Sequence, residues 1–386
     1  MKHPFIIVGS LGIVVVIGAA VWVYFMLFYT HTTPTHTAAN PFSEASSSKG
    51  FDALAQERAA QATTTTPEAP STGARLLTLR KTIGAVALAD GTYRFVEAGT
   101  GHIYQVDNTG SETKLSGTTF PGARRAVWSR EGTRVAIVRE TENGSLETFN
   151  GVLQKDDAGT ISLDGAPLKD VAENVSYSES GDTLFYTREN SLGVTEGVSI
   201  NLKTNKTQTL FTTPLHNIIV SWEPSIIMTT KASAVLPGYA YGKDGVRITD
   251  SMNALTAAEF GATTLFSGRS GNNLSSWVQT GARTTALAQA VIPEKCARNG
   301  TVLICAVPTN FEATSYPDAW YRGEIEYSDS LWQLDIQTGS STQLFDFEGV
   351  TKKQIDVRAI TTVKDGYLLE GKNDDSLWFV QNTLVQ

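Results

Sequence analysis

The feature of this sequence that most constrains its fold is a repeated phrase in which two short apolar segments flank a turn centred on glycine. One copy, residues 126–138, reads AVWSREGTRVAIV, and a second, residues 175–186, reads VSYSESGDTLFY. Weaker copies surround Gly91 and Gly366. Glycine supplies the positive φ angle that a tight hairpin turn needs. The phrase therefore predicts a series of antiparallel β-hairpins.

A second phrase follows the first, and in it a polar turn separates two further strands. Copies begin at Ile103, Val198 and Leu331, and a last, shortened copy begins at Leu377. Two hairpins in each unit give four antiparallel strands. Such units are predicted to start near seven positions: Ile83, Arg124, Val171, His216, Thr263, Cys296 and Ile355.

The unit length predicts an all-β domain with the β-propeller fold. Residues 75–386 comprise 312 residues, so seven units average about 45 residues, and four-stranded propeller blades run about 40–45 residues. We expect seven four-stranded blades, with six or eight as the alternatives. Segment Leu76–Thr82 is expected to supply a strand that the last unit lacks and so to close the ring. The Ala-rich stretch Ala254–Phe266 is expected to form a loop helix.

The hairpin Trp128–Arg134 resembles the W-S-P-D-G-T-[KR] hairpin of TolB-like and other WD40-like β-propeller repeats. Arg130 and Glu131 stand where that family prefers Pro and Asp, and later copies lack the Trp. The resemblance implies the propeller fold, and it brings no catalytic residue with it. A propeller behind a membrane anchor also resembles bacterial cell-envelope proteins.

The N-terminus carries a predicted membrane anchor. Phe5–Tyr29 contains no charged residue, and its 25 residues would form a helix of about 37 Å, enough to cross a hydrocarbon core of about 30 Å. Lys2 precedes the segment, and the next Lys or Arg is Lys49. The positive-inside rule then places residues 1–4 in the cytoplasm and the rest of this single-pass protein outside it. A cleavable signal peptide is the alternative interpretation.

Residues 30–74 are predicted to form a flexible stalk between the anchor and the propeller domain, residues 75–386. The stretch is rich in Thr, Ser, Ala and Pro and includes the run Thr63–Thr66. It holds almost no large apolar residues, so it cannot build a core of its own.

Composition excludes several classes of function. The formal charge is −8, from 31 Lys and Arg against 39 Asp and Glu, which argues against a protein that binds nucleic acid. Five His and two Cys are too few for a zinc framework. The sequence contains no nucleophile elbow, zinc-protease motif, P-loop or dinucleotide fingerprint. No catalytic residue, metal or cofactor is therefore predicted.

The two cysteines, Cys296 and Cys305, flank Asn299 and Gly300 in a predicted hairpin. A two-residue turn at Asn299-Gly300 pairs Cys296 with Leu303, which leaves Cys305 diagonal to it, and a shifted register places the cysteines opposite each other. Either register allows a disulfide, and two buried thiols are the alternative. We favour the disulfide, because the chain contains no other cysteine that competes.

The longest predicted insertion, Pro308–Asp329, concentrates residue types that are common at binding hot spots. Its candidate binding residues for a protein or glycan partner are Tyr316, Trp320, Tyr321 and Arg322. In the alternative interpretation, the aromatic rings pack onto neighbouring blades.

These features favour an extracytoplasmic module, anchored in the membrane of the cell envelope, that binds or scaffolds a protein or glycan partner. The alternative is an extracytoplasmic hydrolase or lyase that uses the central channel of the propeller. Propellers host both classes of function, so the fold does not decide between them.

Overall fold

The structure, a computed structural model, describes residues 73–382 except 158, 272 and 312–315. The predicted membrane anchor and nearly all of the predicted stalk lie outside the described residues. Within the described part of the chain, no helix has the length and apolar character needed to span a membrane.

The described strands form seven antiparallel sheets, each of which is one blade of a propeller. The first strand, β1 (Ala74–Thr78), belongs to the last blade, and the next twelve strands form blades 1–3. These are β2 (Thr82–Ala87), β3 (Tyr93–Glu97), β4 (Ile103–Val106) and β5 (Glu112–Ser116) in blade 1, β6 (Ala123–Trp128), β7 (Arg134–Glu140), β8 (Leu146–Lys155) and β9 (Ile161–Pro167) in blade 2, and β10 (Glu173–Tyr177), β11 (Thr183–Glu189), β12 (Thr195–Asn201) and β13 (Lys206–Thr213) in blade 3.

Blades 4 and 5 depart from the four-strand pattern. Among the described residues, blade 4 has three strands, and blade 5 has four strands with a two-residue strand, β16, added beside its first strand. The strands are β14 (Ile218–Trp222), β15 (Ile226–Thr230) and β17 (Ala240–Gly242) in blade 4, and β16 (Pro237–Gly238), β18 (Met252–Phe260), β19 (Thr263–Ser270), β20 (Asn273–Thr280) and β21 (Arg283–Ala286) in blade 5.

Blades 6 and 7 complete the ring and carry the short helices. Their strands are β22 (Cys296–Asn299), β23 (Val302–Pro308), β24 (Asp329–Asp335) and β25 (Ser341–Asp346) in blade 6, and β26 (Val357–Val363), β27 (Gly366–Gly371), β28 (Leu377–Gln381) and β1 in blade 7. The helices are a 3₁₀ helix (Pro293–Lys295) before β22, α1 (Asp318–Tyr321) after β23, and α2 (Phe347–Thr351) after β25.

The seven-bladed propeller predicted from the repeat is confirmed. Six of the seven predicted unit starts lie within about two residues of the first strand of a blade. The fifth, Thr263, is wrong, because it begins the second strand of blade 5. Ala254–Phe266 is not a loop helix, because it forms most of β18 and the start of β19. Pairing between β18 and β19 overrides the helix propensity of alanine there.

The ring closes where β1 pairs with β28. Leu76 lies opposite Trp378 in this antiparallel pair, so the segment at the start of the domain supplies the fourth strand of blade 7, as predicted. The strand is Ala74–Thr78, not Leu76–Thr82, because Thr82 already begins β2. Leu77 in β1 is buried against Phe95 of blade 1 and Leu368 of blade 7. One strand therefore joins the two ends of the described chain.

The antiparallel order of the strands gives the ring two distinct faces. In each blade, the first turn joins the first and second strands, the second turn joins the second and third, and the third turn joins the third and fourth. The connection face carries the second turns and the connections between blades. The opposite face carries the first and third turns, and we call it the hairpin face. Gly73 and Asn382, at the ends of the described chain, lie at the hairpin face, because β28 ends there and β1 begins there.

Neighbouring blades approach each other closely at their first strands. The indole N–H of Trp128 in blade 2 donates to the carbonyl oxygen of Gly84 in blade 1, at 3.2 Å. A Cβ atom on Gly84 would lie 2.1 Å from the carbonyl oxygen of Ala126. Only glycine allows this contact between the two blades.

Two leucines near the closing strand provide a matched test of ring closure. Leu77 is 2% exposed, whereas Leu79, two residues later, is 84% exposed. We expect Leu77→Ala to lower the free energy of unfolding by about 2–5 kcal/mol, because it leaves a cavity between blades 7 and 1. Leu79→Ala should change it by less than about 0.5 kcal/mol. Denaturant unfolding of both variants measures the difference, and equal effects would contradict this account of closure.

Candidate functional site

The predicted insertion lies on the connection face, between β23 and β24 of blade 6. Its second half, residues 316–329, is fully described and contains all four candidate binding residues. We call residues 316–329 the bridging segment. It includes the one-turn helix α1 and ends in the first residue of β24.

The bridging segment reaches back from blade 6 over blades 5 and 4. The hydroxyl oxygens of Tyr316 and Thr256, in β18 of blade 5, are 3.4 Å apart. The carboxylate of Asp318 accepts a hydrogen bond from the backbone N–H of Ala234, at 2.5 Å, in the loop between β15 and β16. The segment thus fixes the relative positions of three consecutive blades.

The four candidate binding residues differ sharply in exposure. Tyr316 is 0% and Trp320 is 3% exposed, Tyr321 is half-buried, and the side chain of Arg322 is 59% exposed and paired with Glu324. The rings of Tyr316 and Trp320 lie 6.5 Å apart in a shared apolar cluster. Tyr316 and Trp320 therefore hold the segment on the ring, as in the alternative interpretation, and only Arg322 extends fully into solvent.

A buried ionic cluster lies beneath the bridging segment. The ammonium group of Lys295 is fully buried, 2.7 Å from a carboxylate oxygen of Asp329 and 2.6 Å from one of Asp356. The rings of Trp320 and Tyr327 each lie 5.1 Å from the Lys295 nitrogen. Burial raises the pKa of the Asp329 carboxyl to about 6, although Lys295 opposes the shift. A buried lysine needs such partners, because an unpaired charge in the interior is very costly.

Sequence reasoning missed the ionic cluster, since its members are far apart in the chain. Lys295 immediately precedes β22, Asp329 is the first residue of β24, and Asp356 immediately precedes β26. β22 and β24 are the first and third strands of blade 6, and β26 is the first strand of blade 7. The first and third strands of every blade begin at the connection face, so the three side chains meet there. A search for charged residues at those strand starts could have found them once the strands were placed.

Exposed apolar side chains are concentrated on the connection face. Among the described residues, eight large aliphatic side chains are exposed, and seven of them lie in second turns, directly after one (Leu146, the first residue of β8), or in connections between blades. The exception is Val246, which follows the third turn of blade 4. The seven are Leu79, Leu146, Val171, Leu192, Val235, Leu236 and Val350.

Two of these side chains project from a firmly held loop, residues 233–236, which we call the aliphatic loop. Val235 is 77% and Leu236 is 65% exposed. The hydroxyl oxygen of Ser233 accepts the backbone N–H groups of both residues, at 3.3 and 3.4 Å. The carbonyl oxygen of Ser233 accepts the N–H of Ala254 in β18, at 2.7 Å. Together with the bond from Asp318, these contacts hold two apolar side chains rigidly in solvent.

The structure joins Cys296 and Cys305 by a disulfide across β22 and β23. The two residues lie directly opposite each other, and Asn299 lies opposite Val302. The register that pairs Cys296 with Leu303 is wrong, because the turn is centred one residue later, on Gly300 and Thr301.

The hairpin face carries a cavity of about 1220 Å³ where blades 7, 1 and 2 meet. Its lining mixes basic, acidic and aromatic side chains and includes Arg75, Asp90, Arg130, Asp365 and Phe379. Within the described ranges, no cluster of three or more His, Cys, Asp or Glu residues is arranged to hold a metal ion.

Comparison with known proteins adds similarity of fold alone. No protein family and no curated protein matches the sequence. Among solved structures, the chain is similar to the β-propeller domain of the Trilobed protease from Pyrococcus furiosus, with 12% identity, 76% of this chain and 91% of that chain covered, and a TM-score of 0.49. It is similar to virginiamycin B lyase from Staphylococcus aureus, with 12% identity, 80% and 98% coverage and a TM-score of 0.48. It is also similar to TolB from Acinetobacter baumannii, with 15% identity, 75% and 67% coverage and a TM-score of 0.39. Similarity at this level carries no argument about activity.

Two neighbouring residues of the bridging segment test its role in holding the blades. We expect Trp320→Ala to lower the free energy of unfolding by about 3–5 kcal/mol, because it leaves a cavity and removes the indole donor that lies 3.0 Å from Asp356. Arg322→Ala, its control on the same segment, should change stability by less than about 0.5 kcal/mol, since its exposed ion pair contributes little. Thermal or denaturant unfolding distinguishes them. A small effect of Trp320→Ala would show that the Trp320 ring does not hold the bridging segment on the propeller.

Proposed function

We propose that the protein is a membrane-anchored, extracytoplasmic β-propeller that binds a protein partner through its connection face. The observation that carries the proposal is the placement of seven of the eight exposed large aliphatic side chains on that face. Adjacent exposed apolar side chains are typical of protein interaction sites. Within that surface, the aliphatic loop supplies two adjacent side chains in a fixed position.

The chemistry of the face favours a protein partner over a glycan. Sugar rings are usually recognised by exposed aromatic rings, which stack on their C–H faces. In the described part of the chain, every Phe, Tyr and Trp is buried or half-buried, and the exposed apolar groups are Leu and Val. Aliphatic side chains of this kind suit an apolar recess on another protein.

The positions of the chain ends and of the cysteines support the proposed location. The stalk would leave the ring at Gly73, on the hairpin face, so the connection face lies on the side opposite the attachment point. The disulfide between Cys296 and Cys305 is of a kind that persists in oxidising compartments outside the cytoplasm. Both features suit a domain that presents its connection face away from its anchor.

A hydrolase or lyase function is the second candidate. The cavity on the hairpin face, at about 1220 Å³, is large enough for a small molecule. Its mixture of Arg75, Asp90 and Asp365 provides charged groups of both signs that could orient a polar substrate.

Photo-crosslinking from single positions tests the proposed binding face. We expect a benzoylphenylalanine at position 236 to give a discrete protein adduct in intact membranes, because Leu236 would lie in the interface. The same group at position 246 should give none, since Val246 is equally apolar and 59% exposed but lies at the other face. Adducts at both positions, or at position 246 alone, would contradict the proposal that the partner binds the connection face. A glycan partner would give no protein adduct at either position.

Limited proteolysis tests the proposed topology. Protease added to intact cells or spheroplasts should cut within residues 30–72 and release a fragment close in size to the 312-residue domain. The reason is that the predicted stalk would be the accessible link between membrane and propeller. A chain that is cut only after the cells are lysed would show that the domain is not outside the cytoplasm.

A further inference from the structure

The ionic cluster under the bridging segment contains more acidic than basic groups. Its carboxyl groups belong to Glu294, Asp329 and Asp356, and Glu294 is half-buried on the 3₁₀ helix beside Lys295, with its carboxyl oxygen Oε2 enclosed. The cations are Lys295 and the half-buried Lys372, whose nitrogen lies 5.0 Å from the ring of Trp320. With every group charged, one negative charge would be left without a counterpart in the interior, which is very costly.

The hydrogen bonds show which carboxyl groups suit the charged form. Asp356 accepts from Lys295 at 2.6 Å, from the indole of Trp320 at 3.0 Å and from the backbone N–H of Tyr327 at 3.2 Å. Asp329 accepts from Lys295 and from the backbone N–H of Val357, each at 2.7 Å and both through Oδ2, while its Oδ1 is buried without a hydrogen-bond partner among the described residues. Both carboxylates therefore have the cationic and N–H donors that stabilise a negative charge.

Glu294 has no such support. Its carboxyl group is bonded to the hydroxyl of Tyr321 in α1. Its other oxygen is buried without a hydrogen-bond partner among the described residues, and no lysine or arginine of the described chain forms a salt bridge with it. A neutral carboxylic acid suits this environment, whereas a carboxylate would be desolvated with little compensation.

We propose that Glu294 takes up one proton from solvent when the bridging segment seats on the ring, so that the segment is held more firmly at acidic than at alkaline pH. Burial raises the pKa of the Glu294 carboxyl, and the hydrogen bond from Tyr321 and the charge of Lys295 oppose the shift. Tyr316 and Tyr321, which face Glu294 from the bridging segment, have pKa values raised well above the usual range by burial and stay neutral. Glu326 and Arg358 are the remaining charged groups near Lys372. The inference concerns the seating of the segment and does not depend on a partner.

The direction of the pH effect follows from linkage. A carboxyl group whose pKa is higher in the folded than in the unfolded state contributes its full stabilisation when the pH is below the unfolded-state pKa, which is about 4.3 for glutamate. That stabilisation is lost as the pH rises through the folded value. Deprotonation at higher pH leaves a desolvated carboxylate under the bridging segment, so the seated position of the segment should become less favourable even though the hydroxyl of Tyr321 donates to that carboxylate.

Glu294→Gln in the full-length protein in detergent tests the proposal, because the amide keeps the shape of the side chain and an oxygen acceptor for Tyr321 but cannot ionise. We expect the difference in melting temperature, variant minus wild type, to increase as the pH rises from 5 to 9. Hydrogen exchange of residues 316–329, corrected for intrinsic rates, should become faster with pH in wild type and less so in the variant. Glu324→Gln is the matched control, since Glu324 lies on the same segment but is exposed and its pKa is lowered by Arg322.

Infrared spectroscopy gives a second readout. A carbonyl-stretch band of protonated carboxyl groups should weaken in wild type as the pH rises from 5 to 9. Asp329, whose pKa burial raises to about 6, contributes to this band in both proteins, so the contribution of Glu294 is the difference between wild type and Glu294→Gln. A band that titrates identically in both proteins, or no such band in wild type at pH 5, would overturn the proposal. A difference in melting temperature between wild type and Glu294→Gln that stays constant from pH 5 to pH 9 would overturn it as well.

Discussion

The pairing of β1 with β28 is the interaction on which the rest of the structure depends, because each blade is stable only between two neighbours. Side chains of blades 7 and 1 reinforce the join. The guanidinium group of Arg358 donates to the carbonyl oxygen of Thr82 at 2.7 Å and to the carboxylates of Glu370 and Asp375. The same strand that closes the sheet edge also sets where the stalk would leave the ring. Closure therefore determines which face is free for other contacts.

The bridging segment adds a second constraint on top of the closed ring. It packs its aromatic side chains inward and is held by charged groups from three strand starts, so its position is set by hydrogen-bond geometry as well as by apolar contact. Buried ion pairs contribute less to net stability than their short distances suggest, because both charges are desolvated. Removal of one partner is far more costly than the pair is favourable. Lys295, Asp329 and Asp356 thus act mainly to specify where the segment lies.

The sequence predicts the regular blades well and the irregular ones poorly, for a physical reason. Turn glycines such as Gly132 and Gly181 are required by their positive φ angles, so they mark hairpins from local chemistry alone. The corresponding turn of blade 5 also contains such a glycine, Gly261, but the alanines of β18 favour a helix until β19 is available as a partner. The burial of Trp320 was one of two interpretations that the sequence allowed. The choice between them depends on Lys295 and Asp356, which are distant in sequence and meet only in the folded ring.

One helical turn links the proposed proton site to the proposed binding face. Asp318 begins α1 and holds the aliphatic loop through the N–H of Ala234, while Tyr321 ends α1 and bonds to Glu294. Three residues of α-helix span only about 4.5 Å, so Tyr321 and Asp318 lie on the same helical turn. The seating of this turn, which the proposed protonation of Glu294 favours, therefore also positions the carboxylate that holds the loop of Val235 and Leu236. The geometry thereby connects a buried carboxyl group to exposed side chains two blades away.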